Sequence, residues 1–255
     1  MTRHSLIFAC AAWLLAAGCG TSQPIDAVEW TVMGTVARVQ TRGPADKATV
    51  AAVQDAFARV NRLLNAHDSE SELSRLAGLA DEAILAQCDP EMRPCYEAAF
   101  QLRDETGGLF NPRWKGAETM DLGGIAKGFA VDLAAAALAG KVAQDTLLDL
   151  GGNLKAVRGT WRIGVYSPDG GAALPVRTLA AGESCATSAR YFRGDHIRDG
   201  RTGAAAASEL TSVTVVHPTS ATRADGLSTT LFLLGRDAGE RFLAAHDPAA
   251  TAIWL

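Results

Sequence analysis

The order of helical and strand patterns along this chain constrains its fold more than any other sequence feature. In the first half, apolar residues between Val50 and Leu64 recur at spacings of three and four, which predicts an amphipathic helix beginning near Lys47. In the second half, short β-branched runs bounded by turn residues predict strands. No linker divides the two halves, and strands and helices do not alternate regularly. These patterns predict one α+β domain, with a mixed or antiparallel sheet covered by helices.

The boundaries of the elements follow from the same patterns and from capping residues. The predicted strands are 28–40, with a glycine interruption, and 146–150, 161–166, 174–180, 210–216 and 251–255. A capping box, Ser69 to Glu72, predicts a short helix that ends at Leu76. The other predicted helices are 94–106, 127–139 and 222–234, with a further one ending at residue 246.

The N-terminal segment predicts export. A short basic start precedes an apolar run over 5–17, which is too short to span a bilayer but has the length of a signal-peptide core. Small residues then precede Cys19, a pattern similar to the bacterial lipobox, in which the cysteine is lipidated and becomes the mature N-terminus. We expect a lipoprotein signal at 1–18, a tether at 19–27 and a folded domain at 28–255. Ordinary signal cleavage and a short membrane anchor are the alternatives.

The remaining cysteines agree with export and leave one question open. Cys88 and Cys95 flank a turn-rich stretch that contains two prolines. In an oxidising compartment the two sulfurs either form a disulfide or remain two partly buried thiols. Their spacing does not match a zinc site, because no second pair of His or Cys accompanies it.

The charge of the chain argues against nucleic acid as a partner. Lys and Arg number 24 against 28 Asp and Glu, which gives a formal net charge of −4. Non-specific binding to a duplex requires a basic field, and this chain lacks one.

Three short polar segments are the candidates for chemistry. The segment 121–128 precedes a predicted helix, so its amides can face an anion. The segment 149–153 contains a second pair of glycines. In the third segment, Asp225 and Thr229 are four residues apart on one face of a predicted helix, where they can ligate a hard cation such as Mg²⁺. Taken singly, each segment also fits a structural turn or an ordinary i,i+4 hydrogen bond.

Eight ordered blocks extend the pattern across nearly all of the predicted mature chain. They are Met33-Gly-Thr, Ser71-Glu-Leu-Ser-Arg-Leu, Asp121-Leu-Gly-Gly-Ile-Ala-Lys-Gly, Leu150-Gly-Gly-Asn, Ala186-Thr-Ser, His196-Ile with Asp199, Arg201-Thr-Gly, and Ala224-Asp with Thr229. Together they resemble the ApbE family of FAD:protein FMN transferases. The resemblance implies a Mg²⁺-dependent enzyme that takes FAD, transfers its FMN half to a Thr or Ser hydroxyl of a target flavoprotein, and releases AMP. Many members are exported lipoproteins, which implies a bacterial periplasmic protein anchored to a membrane by a lipid on Cys19.

The resemblance also implies roles for individual residues. Asp225 and Thr229 match the side-chain metal ligands, and Gly124 matches the position that offers a backbone carbonyl to the same ion. The positions matching FAD contacts are Met33, His67, Leu109, Phe110, Asn111, Asp121 and Lys127. His196 matches a histidine close to the reacting phosphate, where it is the candidate base or proton relay, with Asp199 as a possible orienting group. Catalysis is expected to depend on His196 and Asp225.

Three positions depart from the pattern of the family. His67 stands in place of a frequent flavin-stacking Tyr, Asn111 in place of a frequent Asp, and Gly200 in place of a Pro. An imidazole still stacks on an isoalloxazine ring, although with less area than a phenol. These departures affect flavin orientation and partner docking, whereas the metal and diphosphate elements are intact.

Two other functions use the same site, and a third fails on spacing. Hydrolysis of FAD to FMN and AMP would replace the protein hydroxyl with water. A non-catalytic periplasmic lipoprotein would bind FAD without turnover. A nicotinamide-dependent oxidoreductase requires Gly-x-Gly-x-x-Gly after a strand, and neither glycine cluster has that spacing.

Overall fold

A computed structural model describes residues 23–166, 176–190 and 196–255, and its main element is a seven-stranded sheet. The described strands are β1 (Ile25–Val32), β2 (Thr35–Arg42), β3 (Thr146–Leu150), β4 (Asn153–Arg158), β5 (Trp161–Gly164), β6 (Val176–Leu179), β7 (Ser184–Ala189), β8 (Ser212–His217) and β9 (Thr251–Trp254). The large sheet has the order β1-β2-β3-β4-β7-β8-β9, and β5 pairs with β6 separately. Neighbouring strands in the described part of the chain are antiparallel throughout. The predicted α+β class is confirmed, and the sheet is antiparallel, not mixed.

Helices cover one face of this sheet. The described helices are α1 (Lys47–Leu63), α2 (Glu72–Leu76), α3 (Asp81–Gln87), α4 (Arg93–Glu105), α5 (Ala126–Ala137), α6 (Ala221–Leu234) and α7 (Arg236–His246). The α5 helix packs on β3 and β4, and α6 packs on β4, β7 and β8. On the other face, Trp161 and Leu179 of the β5–β6 pair pack against strand residues such as Leu154 and Val216. The expectation of helices on the sheet is therefore correct for one face only. No helix in the described ranges is both long and apolar enough to cross a membrane.

The predicted first strand is a hairpin. Met33 and Gly34 have positive φ angles of 51° and 66° and form the two-residue turn between β1 and β2. Such turns need positive φ at both positions, so a glycine here marks a turn and not an interruption. Because β1 begins at Ile25, the predicted tether at 19–27 overlaps the sheet. The predicted signal at 1–18 and Cys19 lie outside the described residues.

The predicted start of the short helix is corrected, and the open question of the two cysteines is answered for the described residues. The N-cap of α2 is Ser71, whose hydroxyl accepts from the Ser74 amide at 3.1 Å, so the box does not begin at Ser69. Glu72 is buried and accepts from the Asp89 amide at 2.6 Å. Cys88 and Cys95 are both buried and free, so the open alternative of two thiols describes the structure. Burial raises the pKa of each thiol.

The close packing of α5 against α6 creates the region to which the polar segments belong. Asp132 of α5 caps α6, accepting from the amides of Ala221 and Thr222 at 2.9 and 2.8 Å. Lys155 of β4 donates to the same carboxylate at 2.9 Å. Burial opposes the charge of Asp132, but Lys155 and these amides outweigh it and lower its pKa. An ionised side chain therefore fixes the start of α6 on α5.

Candidate functional site

The predicted metal ligands come together where α5 begins beside the middle of α6. The hydroxyl oxygen of Thr229 lies 3.5 Å from the carbonyl oxygen of Gly124. Asp225, one turn earlier on α6, is buried, and its Oδ2 accepts from the amide of Gly128 at 2.9 Å. The prediction that Asp225 and Thr229 share one helix is confirmed. The structure thus joins two segments separated by about a hundred residues in the chain.

Two glycines allow this approach. A Cβ on Gly124 would lie 3.2 Å from both the Thr229 hydroxyl oxygen and the Phe110 ring. A Cβ on Gly128 would lie 2.1 Å from the carbonyl oxygen of Ala221. A side chain at Gly128 would force α5 and α6 apart, and one at Gly124 would require Thr229 or Phe110 to move, so both glycines serve close approach.

The donor set fits a hard cation. It offers a carboxylate, a hydroxyl and a backbone carbonyl, the oxygen ligands that Mg²⁺ prefers. The ammonium of Lys127 already lies 3.6 Å from Asp225 Oδ2 and donates to the Gly123 carbonyl at 3.0 Å, so positive charge is stabilised here. Within the described ranges, no three side chains of His, Cys, Asp or Glu cluster in a way that would hold a metal. The candidate metal centre is the oxygen set of Asp225, Thr229 and the Gly124 carbonyl, because of its donor chemistry and its place between α5 and α6.

Asp121 organises the turn that leads into α5. Its Oδ1 accepts from the Gly123 amide at 2.9 Å, and its Oδ2 lies 3.1 Å from the ammonium of Lys115. Burial opposes ionisation, but these two donors outweigh it, and the pKa of Asp121 is lowered. Lys115 also lies over the Trp114 ring, 4.8 Å from its centroid. Lys115 is absent from the predicted site residues, because nothing in the local sequence pattern relates it to Asp121.

The predicted flavin-pocket segment 109–111 is bound to the loop that follows His196. The amide of Gly200 donates to the Leu109 carbonyl at 2.8 Å, and Asn111 Nδ2 donates to the Gly200 carbonyl at 3.2 Å. A Cβ on Gly200 would lie 2.3 Å from the Cβ of Asn111. Two of the three departures from the family pattern are thus in direct contact. The absence of a side chain at Gly200 leaves room for Asn111, and Asn111 donates to the Gly200 carbonyl.

His196 is exposed, and it immediately precedes the buried Ile197. Asp199 binds Arg201 through both carboxylate oxygens, at 3.0 and 2.7 Å, and chiefly this hydrogen bonding lowers its pKa. The partner that the structure gives Asp199 is therefore Arg201. An orienting effect of Asp199 on His196 stays a prediction.

The other predicted site residues lie in turns and loops. Met33 lies in the β1–β2 turn. Gly151, in the β3–β4 turn, is so close to Thr35 that a Cβ on Gly151 would lie 2.4 Å from the Thr35 hydroxyl oxygen. The two turns therefore share one end of the sheet. His67 is exposed in the loop between α1 and α2, and its amide donates to Asn65 Oδ1 at 3.0 Å. The FAD contacts expected of Met33 and His67 stay predictions.

The segment 149–153 forms the turn between β3 and β4, in which the Gly152 amide donates to Asp149 Oδ1 at 2.9 Å. Asp149 is buried and lies 3.1 Å from Arg38. Burial raises the pKa of Asp149 despite this partner. The side chain of Asn153 is also buried, and its Oδ1 has no hydrogen-bond partner within the described part of the chain.

Two hydroxyl groups that the sequence analysis did not identify lie beside Thr229. Ser188, at the end of β7, is 2.9 Å from the Ser228 hydroxyl and 3.3 Å from the Thr229 hydroxyl. Ser228 donates to the Asp225 carbonyl at 2.9 Å. The Ala186-Thr-Ser block contains Ser188, but its contact with α6 arises only from the packing of the helix on the sheet.

Comparison with known proteins identifies one family model across most of the chain and curated relatives of part of it. The model of the ApbE family matches residues 33–119 and 113–254. FAD:protein FMN transferase from Klebsiella pneumoniae (strain 342) is 37% identical over 129 residues, which cover 47% of this chain and 40% of the relative. The enzyme of the same name from Treponema pallidum (strain Nichols) is 34% identical over 138 residues, covering 46% of this chain and 38% of the relative. The matched region therefore spans well under half the length of these curated relatives.

Solved structures share the fold over nearly the full chain. Flavin transferase ApbE from Vibrio cholerae superposes with a TM-score of 0.76 at 20% identity, covering 91% of this chain and 93% of that one. The apo form of Pseudomonas stutzeri flavinyl transferase ApbE gives 0.73 at 21% identity, covering 91% of each chain. At this identity the likeness establishes the fold.

Proposed function

Because the chain belongs to the ApbE family, we propose that it is a flavin transferase that moves the FMN half of FAD to a Thr or Ser hydroxyl of a target flavoprotein. The reaction is proposed to depend on Mg²⁺ and to release AMP. The observation that carries the proposal is that α6 meets the start of α5 through two of its predicted ligands, Asp225 at the Gly128 amide and Thr229 at the Gly124 carbonyl.

The chemistry is phosphoryl transfer from a diphosphate to an alcohol: a phosphoanhydride bond of FAD breaks and a phosphate ester forms on the acceptor hydroxyl. The acceptor hydroxyl attacks the FMN phosphorus, the bond from that phosphorus to the bridging oxygen of the diphosphate breaks, and AMP leaves with that oxygen. In such reactions the protein contributes mainly positioning and charge neutralisation. The chemistry that Mg²⁺ bound by Asp225, Thr229 and Gly124 would supply is Lewis-acid neutralisation of the diphosphate.

The chain's own groups add to this neutralisation. Lys127 provides an ammonium beside Asp225, and the first amides of α5 provide partial positive charge for a phosphate group. Asp121 holds the Gly123 amide, and so keeps the turn before α5 in one conformation. These contacts support binding of the diphosphate between α5 and α6.

His196 is proposed to accept the proton of the acceptor hydroxyl. Its side chain is exposed, and a group that must reach a hydroxyl on a separate protein requires such exposure. The pairing of Gly200 with Leu109 and Asn111 supports this role, because it fixes the loop after His196 to the predicted flavin segment.

The test is mass spectrometry of candidate target proteins incubated with the enzyme, FAD and Mg²⁺. A covalent addition of one FMN to a Thr or Ser supports the transferase. AMP released at the same rate without any acceptor would identify a pyrophosphatase instead, and FAD binding without AMP would identify a storage protein.

Asp225→Asn is expected to abolish flavin transfer at ordinary Mg²⁺ concentrations, because it removes the only charged ligand of the proposed metal set. Asp55→Asn, at an exposed position of α1, is the matched control and should keep full activity. Unimpaired transfer by Asp225→Asn would refute the metal assignment.

The site of action is proposed to be the periplasm, with the chain anchored to a membrane by a lipid on Cys19. The short apolar run and the small residues before Cys19 support this proposal. Cys19→Ser should release the protein from the membrane fraction, whereas Cys10→Ser should leave it bound. Membrane retention of Cys19→Ser would refute lipidation.

A further inference from the structure

We propose that Ser188 is a positioning residue that accepts the hydroxyl proton of Thr229 and so directs the lone pairs of that oxygen toward the metal. The inference rests on the metal site of the proposed function. It concerns a side chain that touches neither the metal nor FAD in that proposal.

The contacts form a short chain of hydroxyl groups. The Ser188 hydroxyl lies 2.9 Å from that of Ser228 and 3.3 Å from that of Thr229. Ser228 lies 2.9 Å from the Asp225 carbonyl, and Thr229 lies 3.5 Å from the Gly124 carbonyl. Four contacts therefore connect three hydroxyl groups and two carbonyl groups.

Counting protons assigns the direction of each hydrogen bond. A carbonyl only accepts, so the proton of Ser228 goes to Asp225. Ser188 must then donate to Ser228, because Ser228 has no second proton. The remaining contact of Ser188 is a hydrogen bond only if Thr229 donates to it.

Thr229 has one proton, which can go either to the Gly124 carbonyl or to Ser188, and a Thr229 that binds a cation together with Gly124 must donate it to Ser188. Both contacts of the Thr229 hydroxyl are longer than the usual O–H···O distance of about 2.7 Å, and Ser188 at 3.3 Å is nearer than the Gly124 carbonyl at 3.5 Å. Two oxygen atoms that face each other with lone pairs repel unless a cation lies between them. The hydroxyl chain therefore prepares Thr229 and Gly124 to bind a cation, and Ser188 is the acceptor that this arrangement requires.

The sheet fixes Ser188 in this role. Ser188 pairs with Val213 of β8, and the alternation along β7 directs Ser184, Ala186 and Ser188 to the face that the helices cover. The neighbouring Thr187 points to the opposite face, where its hydroxyl lies 2.8 Å from that of Thr214. Thr187 is thus a matched control on the same strand.

The experiment measures Mg²⁺ affinity directly. Apo protein is titrated with Mg²⁺ in the presence of FAD, without acceptor protein, and binding is followed by flavin fluorescence and calorimetry. Ser188→Ala should weaken Mg²⁺ binding by about 10-fold or more, as loss of a group that orients a metal ligand usually does. Ser188→Thr, which keeps the hydroxyl, should recover most of the affinity, and Thr187→Val should behave as wild type.

Metal-free thermal unfolding separates positioning from packing. The proposal requires that the affinity loss of Ser188→Ala exceed any loss of Thr187→Val at comparable unfolding temperatures. Equal Mg²⁺ affinity of Ser188→Ala and wild type, with wild type binding Mg²⁺ normally, would overturn this inference alone. Absence of Mg²⁺-dependent FAD binding in wild type would overturn both the metal site and the inference.

Discussion

Replacing Gly128 with alanine tests how closely α5 and α6 must pack for the site to form. A Cβ there would lie 2.1 Å from the carbonyl oxygen of Ala221 and 2.7 Å from the Cβ of Asp225. This carbonyl cannot move aside as a side-chain end can, because the amide of Ala221 is bound to Asp132. The two helices must separate by roughly 1 Å in an interior that is as densely packed as a crystal.

The cost of this separation follows from two opposing terms. Overpacking a well-packed interior costs about 1–3 kcal/mol. Alanine recovers about 1 kcal/mol of helix propensity relative to glycine. Because the obstacle at Gly128 is backbone, we expect the upper end of the first range, and a net loss of about 2 kcal/mol in the free energy of unfolding. The Asp225 carboxylate would also move away from Gly124, so Mg²⁺ binding should weaken.

Urea unfolding followed by circular dichroism measures the loss, and Gly226→Ala is the control. A Cβ on Gly226 would lie 2.3 Å from Leu102 Cδ1, the end of a side chain that can rotate. We expect Gly226→Ala to lose less than about half as much stability as Gly128→Ala. A Gly128→Ala protein that unfolds at the wild-type urea midpoint would refute the claim that the two backbones are in contact.

Two further predictions use the same unfolding assay. Gly200→Pro, which restores the residue typical of the family, should destabilise this chain by about 2 kcal/mol. Proline removes the backbone amide that donates to the Leu109 carbonyl, and its ring atoms would overlap Asn111. An unchanged urea midpoint would contradict this prediction. His217 Nδ1 accepts hydrogen bonds from the backbone amides of residues 219 and 220. Burial lowers the pKa of this imidazole, so as the pH falls the histidine is protonated in the unfolded state before it is protonated in the folded state. The contribution of His217 to stability should therefore be constant above neutral pH and decline below about pH 6.5, and the decline in stability over this range should be smaller in His217→Gln.

The fold could be predicted wherever local signals were strong. The helices at residues 47, 94 and 222 have apolar periodicity or caps, and the structure contains all three. The strands β4 and β7 were missed for identifiable reasons. Lys155 lies at a buried position of β4, where its ammonium donates to Asp132, Ser184 and the Thr219 carbonyl, so the strand does not show an apolar face. The β7 strand consists of small residues with weak strand preference.

Some residues of the candidate site could be predicted from the sequence because they share one helix, whereas others are brought together only by the packing of distant segments. The spacing of Asp225 and Thr229 is a property of one helix, so sequence alone was sufficient to place both oxygens on one face. The position of Gly124 beside them depends on the packing of α5 on α6, and only the resemblance to a family indicated it.

The role proposed for Ser188 could not be predicted from the sequence. Its closeness to Thr229 results from the pairing of β7 with β8 and from the packing of α6 across both strands. Sequence patterns identify groups that bind a ligand when those groups share one element. Groups that orient a ligand-binding residue from a neighbouring element carry no local pattern, and only the three-dimensional structure reveals them.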